Sequence, residues 1–135
     1  MARCSGLGFR GPLDDEMIKD YKDLKVWQKG IDLVKQTYAV TEVFPSTEKY
    51  SLAAQMRRAA VSIPSNIAEG FARKNTKEYR QFLFIALSSC AELDTQLIIA
   101  EDQKLLNQNT AERIKEELNH EMRMIRNLTK NLVSS

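Results

Sequence analysis

Apolar residues recur at steps of three or four along most of the chain, the period of a helix that buries one face. The clearest stretch is residues 55–73, QMRRAAVSIPSNIAEGFAR, and its inward positions are Met56, Ala59, Ile63, Ile67 and Phe71. Pro64 lies in the middle, where a proline removes one helical hydrogen bond at a cost of roughly 3 kcal/mol. We therefore predict that this stretch is helical, that the helix kinks near residues 62–64, and that it ends in a left-handed cap at Gly70.

A first helix is predicted before this one, over residues 19–43. Its apolar positions are spaced 3, 4, 3 and 4, which is the seam of a coiled coil, and they are Leu24, Trp27, Ile31, Val34 and Tyr38. Phe44 and Pro45 end the pattern. Ser46, or Thr47 before Glu48, offers the N-cap of the second helix.

Two further helices follow the proline-containing one. Asn75 and Glu78 have the spacing of a capping box, so a third helix should begin there and run to about residue 102. Its inward stripe is Tyr79, Phe82, Leu83, Ala86, Cys90, Leu93 and Leu97. We expect Thr110 to cap a fourth helix, with its apolar positions at Ile114, Leu118, Met122, Ile125, Leu128 and Leu132.

The third helix is apolar on more than one side. Off its inward stripe lie Phe84, Leu87, Ile98 and Ile99. A second apolar face indicates either a central position in the fold or a contact between subunits, and we favour the subunit contact.

Four helices with short connections predict an all-α fold, an antiparallel up-and-down four-helix bundle with a proline-kinked second helix. At 135 residues the chain has room for one domain. Residues 17–135 are assigned to the bundle. Residues 1–16 hold three of the five glycines and no periodic pattern, and are interpreted as a flexible leader or an added segment.

Four segments together resemble a known family. They are residues 21–30 (YKDLKVWQKG), 44–45 (FP), 62–71 (SIPSNIAEGF) and 85–97 (IALSSCAELDTQL), and the resemblance spans about residues 21–132. The chain resembles the four-helix-bundle family of 23S rRNA intervening-sequence proteins, which are bacterial. A related branch is the accessory variability determinant of diversity-generating retroelements, a basic pentameric barrel that binds a reverse transcriptase and nucleic acid.

The resemblance implies a homo-oligomer, a pentamer by analogy, with RNA or another nucleic acid and a possible reverse transcriptase as partners. It also implies a set of motif residues, which map here onto Arg57, Arg58, Pro64, Asn66, Glu69 and Gly70. These residues serve fold or assembly as readily as binding.

Charge is distributed unevenly along the sequence, although the net charge is only +2. Residues 48–80 hold seven Lys or Arg against three acids, whereas residues 81–121 hold three against eight. An up-and-down topology would gather the bases at one end of the bundle. The predicted nucleic-acid contacts there are Lys22, Lys25, Arg73, Lys74, Lys77, Arg80, Arg123, Arg126 and Lys130.

Such a basic end suits a phosphate backbone, but Lys and Arg near helix ends are also ordinary solvated surface, and the sequence leaves both interpretations open. The chain has no motif that reads bases, so any binding should depend on phosphate contacts and on salt. A protein-interaction module that docks a partner such as a reverse transcriptase is the alternative function.

Residues suited to catalysis or metal binding are sparse. His120 is the only histidine and is expected at the surface, while Cys90 is expected in the core. Glu69 and Glu92 could be partly buried, and a structural ion pair with arginine is favoured over a paired-carboxylate active site. Trp27 is expected to pack in the core rather than stack on bases. We therefore predict a protein that is not an enzyme and holds no cofactor or metal.

Apolar runs and cysteines indicate where the protein is located. No continuous apolar run approaches the roughly 18 residues of a membrane helix, and no secretory signal is evident. The two cysteines do not form a disulfide framework. The sequence therefore predicts a cytoplasmic protein with no membrane partner.

Overall fold

The computed structural model describes residues 18–132, and all regular secondary structure in that range is helical. A short 3-10 turn, Tyr21–Asp23, precedes the helices. The helices are α1 (Lys25–Glu42), α2 (Ser46–Lys49), α3 (Leu52–Phe71), α4 (Thr76–Asp102) and α5 (Gln108–Asn131). The leader predicted at residues 1–16 lies outside the described range.

The four long helices share one core. Each packs against the next long helix in the chain, and α1 also packs against α5. The largest fully buried side chains come from all four helices: Leu33, Met56, Ile63, Ile67, Tyr79, Leu83, Leu93, Leu97, Ile114, Leu118 and Ile125. Burial of this apolar surface is the main force that holds the helices together.

Leu24, just before α1, is buried as predicted, but the face that α1 itself buries is not the predicted seam. Its buried positions are Val26, Gly30, Leu33, Thr37 and Thr41, whereas Tyr38 is exposed and Trp27 and Val34 are half-buried. The prediction failed because it counted only large apolar residues. The two threonines bury their hydroxyls by bonding the carbonyl oxygen four residues back, at 2.8 Å for Thr37 and 2.7 Å for Thr41.

The proline-containing helix begins later than the predicted N-cap at Ser46 or Thr47 implies, and it ends differently than predicted. Pro64 lies inside α3, which starts at Leu52. The preceding residues Ser46–Lys49 form the separate helix α2, so they do not cap α3. The predicted cap at Gly70 is wrong, because Gly70 is inside α3 and the C-cap is Ala72, whose φ of −76° is right-handed.

Gly70 has a packing role instead. A Cβ at this position would lie 2.9 Å from Cβ of Phe82 and 3.0 Å from Cδ1 of Tyr79. Only a residue without a side chain lets the end of α3 approach α4 this closely.

The caps of the last two long helices are both asparagines. Asn75 accepts a hydrogen bond from the backbone N–H of Glu78 at 2.8 Å, which confirms the predicted start of α4. Thr110 does not cap α5. Asn107 does so, since its side chain accepts from the N–H of Thr110 at 2.8 Å.

Helix α4 is apolar on two sides. Its inward stripe is buried as predicted apart from Phe82, which is half-buried, while Phe84, Ile85, Ile98 and Ile99 are exposed. Within residues 18–132, α4 is also long and apolar enough to pass a length-and-composition test for a membrane span, which the sequence analysis did not expect. The core helix of a soluble protein passes the same test, and the buried stripe of α4 belongs to the core.

Candidate nucleic-acid interface

The turn between α3 and α4 presents three exposed cations, Arg73, Lys74 and Lys77. Arg73 is the most constrained. Its Nη2 lies 3.6 Å from Oε2 of Glu69, one helical turn earlier, and its guanidinium carbon lies 4.7 Å from the centre of the Phe82 ring. Lys74 and Lys77 form no ion pair within the described residues and are free to meet a ligand.

The end of α5 lies beside the start of α4. Arg80, half-buried, donates a hydrogen bond from Nη2 to the carbonyl oxygen of Leu132 at 3.0 Å. This bond connects the C-terminal end of the α5 segment to the first turns of α4. Lys130 and Arg126, both exposed, occupy the last turns of α5. Cations from two separate helices are therefore close together.

Lys22 lies in the 3-10 turn, and Lys25 is the first residue of α1. Near the other end of the same helix, Thr41 accepts a hydrogen bond from Nε of Arg57, at the beginning of α3, at 2.8 Å. At the opposite end of α1, the 3-10 turn also packs against α3. Lys22 and Lys25 are exposed there, with the Lys22 ammonium 5.6 Å from the centre of the Tyr21 ring.

The acids of this end compensate the bases only in part. Among the nine predicted contact residues, Arg73 alone forms an ion pair with another described residue. Asp20 and Asp23 instead accept hydrogen bonds from the backbone N–H groups of Lys22 and Lys19. Arg123 is exposed on α5, three residues before Arg126. We call these nine residues the basic end.

Among the motif residues, Arg57 connects two helices and Asn66 bonds within α3. Arg57 bonds Thr41, lies 3.3 Å from Oε1 of Glu42, and stacks 4.6 Å from the centre of the Tyr38 ring. Asn66 donates from Nδ2 to the carbonyl oxygen of Ser62 at 2.8 Å and to its Oγ at 2.9 Å.

The same hydroxyl of Ser62 accepts a bond from Oγ of Ser89, on α4, at 2.8 Å. Pro64 is buried against Gly30, and Arg58 is exposed. The motif around Pro64 therefore connects α3 to both α1 and α4.

The expectation that Glu69 and Glu92 are partly buried is wrong. Both are exposed, because each falls on the outward side of its helix, and Glu69 pairs with Arg73 as described above. The exposed position of these carboxylates gives no support to a paired-carboxylate site.

Among the described residues the buried carboxyl is that of Glu121, which was not predicted from the sequence. Its side chain is 0% exposed, and neither carboxylate oxygen has a hydrogen-bond partner among the described residues. Burial raises the pKa of Glu121 to about 8, and the nearby charge of Lys29 opposes this shift. The helical period could have found it, since Leu118, Glu121 and Ile125 are spaced by three and four.

Neither Cys90 nor His120 has the surroundings of a catalytic or metal-binding residue. Burial is the main cause that raises the pKa of the Cys90 thiol to about 12, with Glu121 adding to the rise and Arg126 opposing it, so this thiol is not an activated nucleophile. His120 is exposed. Within residues 18–132, no three side chains of His, Cys, Asp or Glu are grouped to hold a metal ion.

Comparison with known proteins gives the fold and the family. The chain is similar to a protein of unknown function from the S23 ribosomal protein family of Bacteroides thetaiotaomicron, whose crystal structure matches with a TM-score of 0.71. The two are 18% identical, and the match covers 78% of this chain and 98% of the other. No curated protein matches this sequence significantly. The family model of the 23S rRNA-intervening sequence proteins matches residues 22–127, and the chain belongs to that family.

Proposed function

We propose that this protein is a non-enzymatic homo-oligomer that binds RNA or another nucleic acid through its basic end, as a scaffold around rRNA or a partner enzyme. The observation that supports the proposal most is the bond from Arg80 to the Leu132 carbonyl. This bond draws the cations of the turn after α3 toward those of the last turns of α5. Clustered cations of this kind attract a phosphate backbone more strongly than the same charges dispersed.

Binding would depend on phosphates rather than on bases. The exposed members of the basic end are Lys and Arg on helix ends and a turn, without an exposed aromatic platform among them. Phosphate contacts position a protein on nucleic acid but carry no sequence information. The expected behaviour is affinity for many RNA sequences that falls as salt rises.

A charge-removal experiment with a matched control tests this proposal. One variant carries Lys74→Gln, Lys77→Gln and Arg126→Gln at the basic end. The control carries Lys35→Gln, Lys104→Gln and Arg113→Gln, which are exposed elsewhere and remove the same charge. At one salt concentration, RNA affinity should fall about tenfold or more in the first variant and only about twofold in the control. Equal losses would mean that net charge, and not the basic end, determines binding.

Self-association is the second part of the proposal. On the outer face of α4, Phe84 is 51% and Ile98 is 49% exposed. The stripe at helical spacing between them holds the exposed small residues Ser88, Ala91 and Thr95, which let another helix approach closely, with the exposed Ile85 and Glu92 beside it. We assign this face to a second copy of the chain. By resemblance to the related barrel, five copies would form the assembly and place their basic ends together.

Native mass of paired variants tests the assembly. Phe84→Ser with Ile98→Ser should reduce the assembly to monomers while the helical circular dichroism stays unchanged. Val43→Ser with Tyr50→Ser is the control, because these side chains are 78% and 94% exposed outside α4. An assembly of unchanged mass in the α4 variant would refute this interface.

The detailed helix arrangement is also a proposal. We propose that α1, α3, α4 and α5 run alternately up and down, and that α3 bends at Pro64. The pairing of Arg57 with Thr41 and that of Arg80 with Leu132 support the alternation, since each joins the end of one helix segment to the beginning of another. Pro64 supports the bend because it supplies no N–H to the carbonyl of Ala60.

A second candidate function is a protein-interaction module, in which the oligomer formed through the outer face of α4 presents a surface for another protein. In this case a protein such as a reverse transcriptase docks on the assembly and nucleic acid is secondary. Recovery of one defined protein partner after nuclease treatment, together with loss of that partner in the α4 variant, would favour this function. For either function we propose a cytoplasmic location, in a bacterium by the family resemblance; the free Cys90 fits a reducing compartment.

A further inference from the structure

Glu121 occupies an unusual position where the last helix meets the first. A carboxyl group that is fully buried without a hydrogen-bond partner is unfavourable when it is charged, because no group replaces the water it has lost. The space for it comes from Gly30 of α1. A Cβ at position 30 would lie 3.2 Å from Oε2 of Glu121.

Each helix packed near Glu121 contributes a different kind of neighbour. From α1 comes Lys29, and from α3 comes the uncharged ring of Pro64, which lies beside the same Gly30 position. From α4 comes the Cys90 thiol, whose ionisation is influenced by the charge of Glu121. Lys29 is therefore the cation whose charge acts on the pKa of Glu121.

Lys29 already forms an ion pair with a second glutamate, one helical turn before Glu121. Its ammonium donates a hydrogen bond to Oε1 of Glu117, which precedes Glu121 by four residues on α5. This bond is the main cause of a lowered pKa of Glu117. The exposed His120 adds positive charge near Glu117, while Arg126, one turn later, acts on Cys90. The charge of a single lysine therefore acts on two carboxyl groups on one face of α5.

We infer that Glu121 is a proton-controlled latch between α1 and α5: the protonated carboxyl lets the two helices close over it, and loss of the proton draws Lys29 from Glu117 and loosens the contact. The inference is independent of nucleic-acid binding. A buried neutral acid can remain among apolar groups, whereas the ionised acid needs a cation or water. Lys29 is the available cation, and its side chain is 19% exposed, so it connects the buried site to solvent.

Titration of the Glu121 carboxyl carbon by NMR in the full-length protein tests the latch. In the wild type, Glu121 should titrate at a higher pH than the exposed glutamates. Lys29→Met should move the midpoint further up, because it removes the attracting cation. Glu117→Gln should move the midpoint down, because it releases Lys29 toward Glu121. Opposite shifts in the two variants would show that Lys29 and Glu117 both act on the charge of Glu121, which the latch requires.

Hydrogen exchange of the α1 amides measures the loosening itself. The wild type is compared with Glu121→Gln at each pH, so that the intrinsic pH dependence of exchange cancels. The opening equilibrium of the wild type should rise relative to the variant by about tenfold per pH unit from pH 6 to about 8, since one proton is released on opening. Above that range the ratio should level off.

Two results would overturn the inference. One is a Glu121 carboxyl that titrates together with the exposed glutamates, or a midpoint unchanged in both Lys29→Met and Glu117→Gln. The other is an exchange ratio between wild type and Glu121→Gln that is constant with pH. The carboxyl titrations do not need the Glu121→Gln variant, so the test stands even if that variant fails to fold.

Discussion

Gly30 of α1 lies against Pro64 of α3, so closely that a Cβ at position 30 would be 3.2 Å from the Cβ of Pro64. A glycine inside a helix costs up to about 1 kcal/mol relative to alanine, and a proline costs more. Both weak helix formers are found at the same contact. The contact brings α1 close to α3 at the place where Pro64 lacks its N–H, and it leaves room for Glu121.

Gly30→Val should destabilise the protein. Two added methyl groups would press on the Pro64 ring and on Glu121, and overpacking of this kind costs about 1–3 kcal/mol. The free energy of unfolding in urea measures the loss. Ala39→Val, at an exposed position of the same helix, should cost less than about 1 kcal/mol. Equal costs for the two valines would show that the Gly30 contact is not tight.

Gly70→Ala should lower stability more than Gly30→Ala does. At position 70 the new Cβ would meet Phe82 Cβ at 2.9 Å and the backbone oxygen of Tyr79 at 3.2 Å, so α3 and α4 must separate. We expect a net loss of about 1–3 kcal/mol, in spite of alanine's better helix propensity. Thermal unfolding of the two alanine variants provides the comparison. A Gly70→Ala protein as stable as the wild type would contradict the close approach.

Asn75→Ala should remove the N-cap of α4. Its side chain accepts the hydrogen bond from the Glu78 N–H, and loss of such a cap costs about 1 kcal/mol. Chemical denaturation measures the change. Gln81→Ala, exposed in the same helix, should stay within a few tenths of a kcal/mol. If both variants lost the same amount, the cap would not contribute to stability.

Stability should depend on pH in opposite directions through Glu117 and Glu121. The pKa of Glu117 is lowered on folding by Lys29, so its contribution is present at neutral pH and is lost as pH falls below its unfolded value. The pKa of Glu121 is raised from 4.5 to about 8, so its contribution is present below 4.5 and is lost as pH rises.

Between about pH 5 and 8 the second effect should reduce the free energy of unfolding by about 1.4 kcal/mol per pH unit. Urea unfolding of wild type and Glu121→Gln over this range measures it as the difference of slopes. Parallel curves would show that Glu121 is already ionised in the folded protein.

The sequence was informative where large apolar residues alone define the buried face. Helix α4 is such a case, since its cap at Asn75, its end at Asp102 and nearly all of its inward stripe were predicted correctly. Helix α1 was not, because Gly30, Thr37 and Thr41 occupy buried positions that a search for large apolar residues overlooks. Gly30 is buried there because it packs against Pro64, and Thr41 because its hydroxyl accepts a hydrogen bond from Arg57.

The candidate site, too, could be predicted from the sequence only in part. Exposure of the lysines could be anticipated from their position at helix ends and in the turn after α3. The bond from Arg80 to Leu132 could not, because it joins residues 52 positions apart. Burial of Glu121 was missed because a charged residue was assumed to face water, although its spacing from Leu118 and Ile125 placed it on the buried stripe.

Salt dependence of RNA affinity, measured for the wild type and the two charge-removal variants, tests the central claim most directly. The logarithm of the association constant should fall linearly with the logarithm of salt concentration. For one bound protomer, the slope should be smaller by about two to three in the variant changed at Lys74, Lys77 and Arg126, and unchanged in the variant changed at Lys35, Lys104 and Arg113. An affinity that does not respond to salt, or equal slopes in all three proteins, would contradict binding through the basic end.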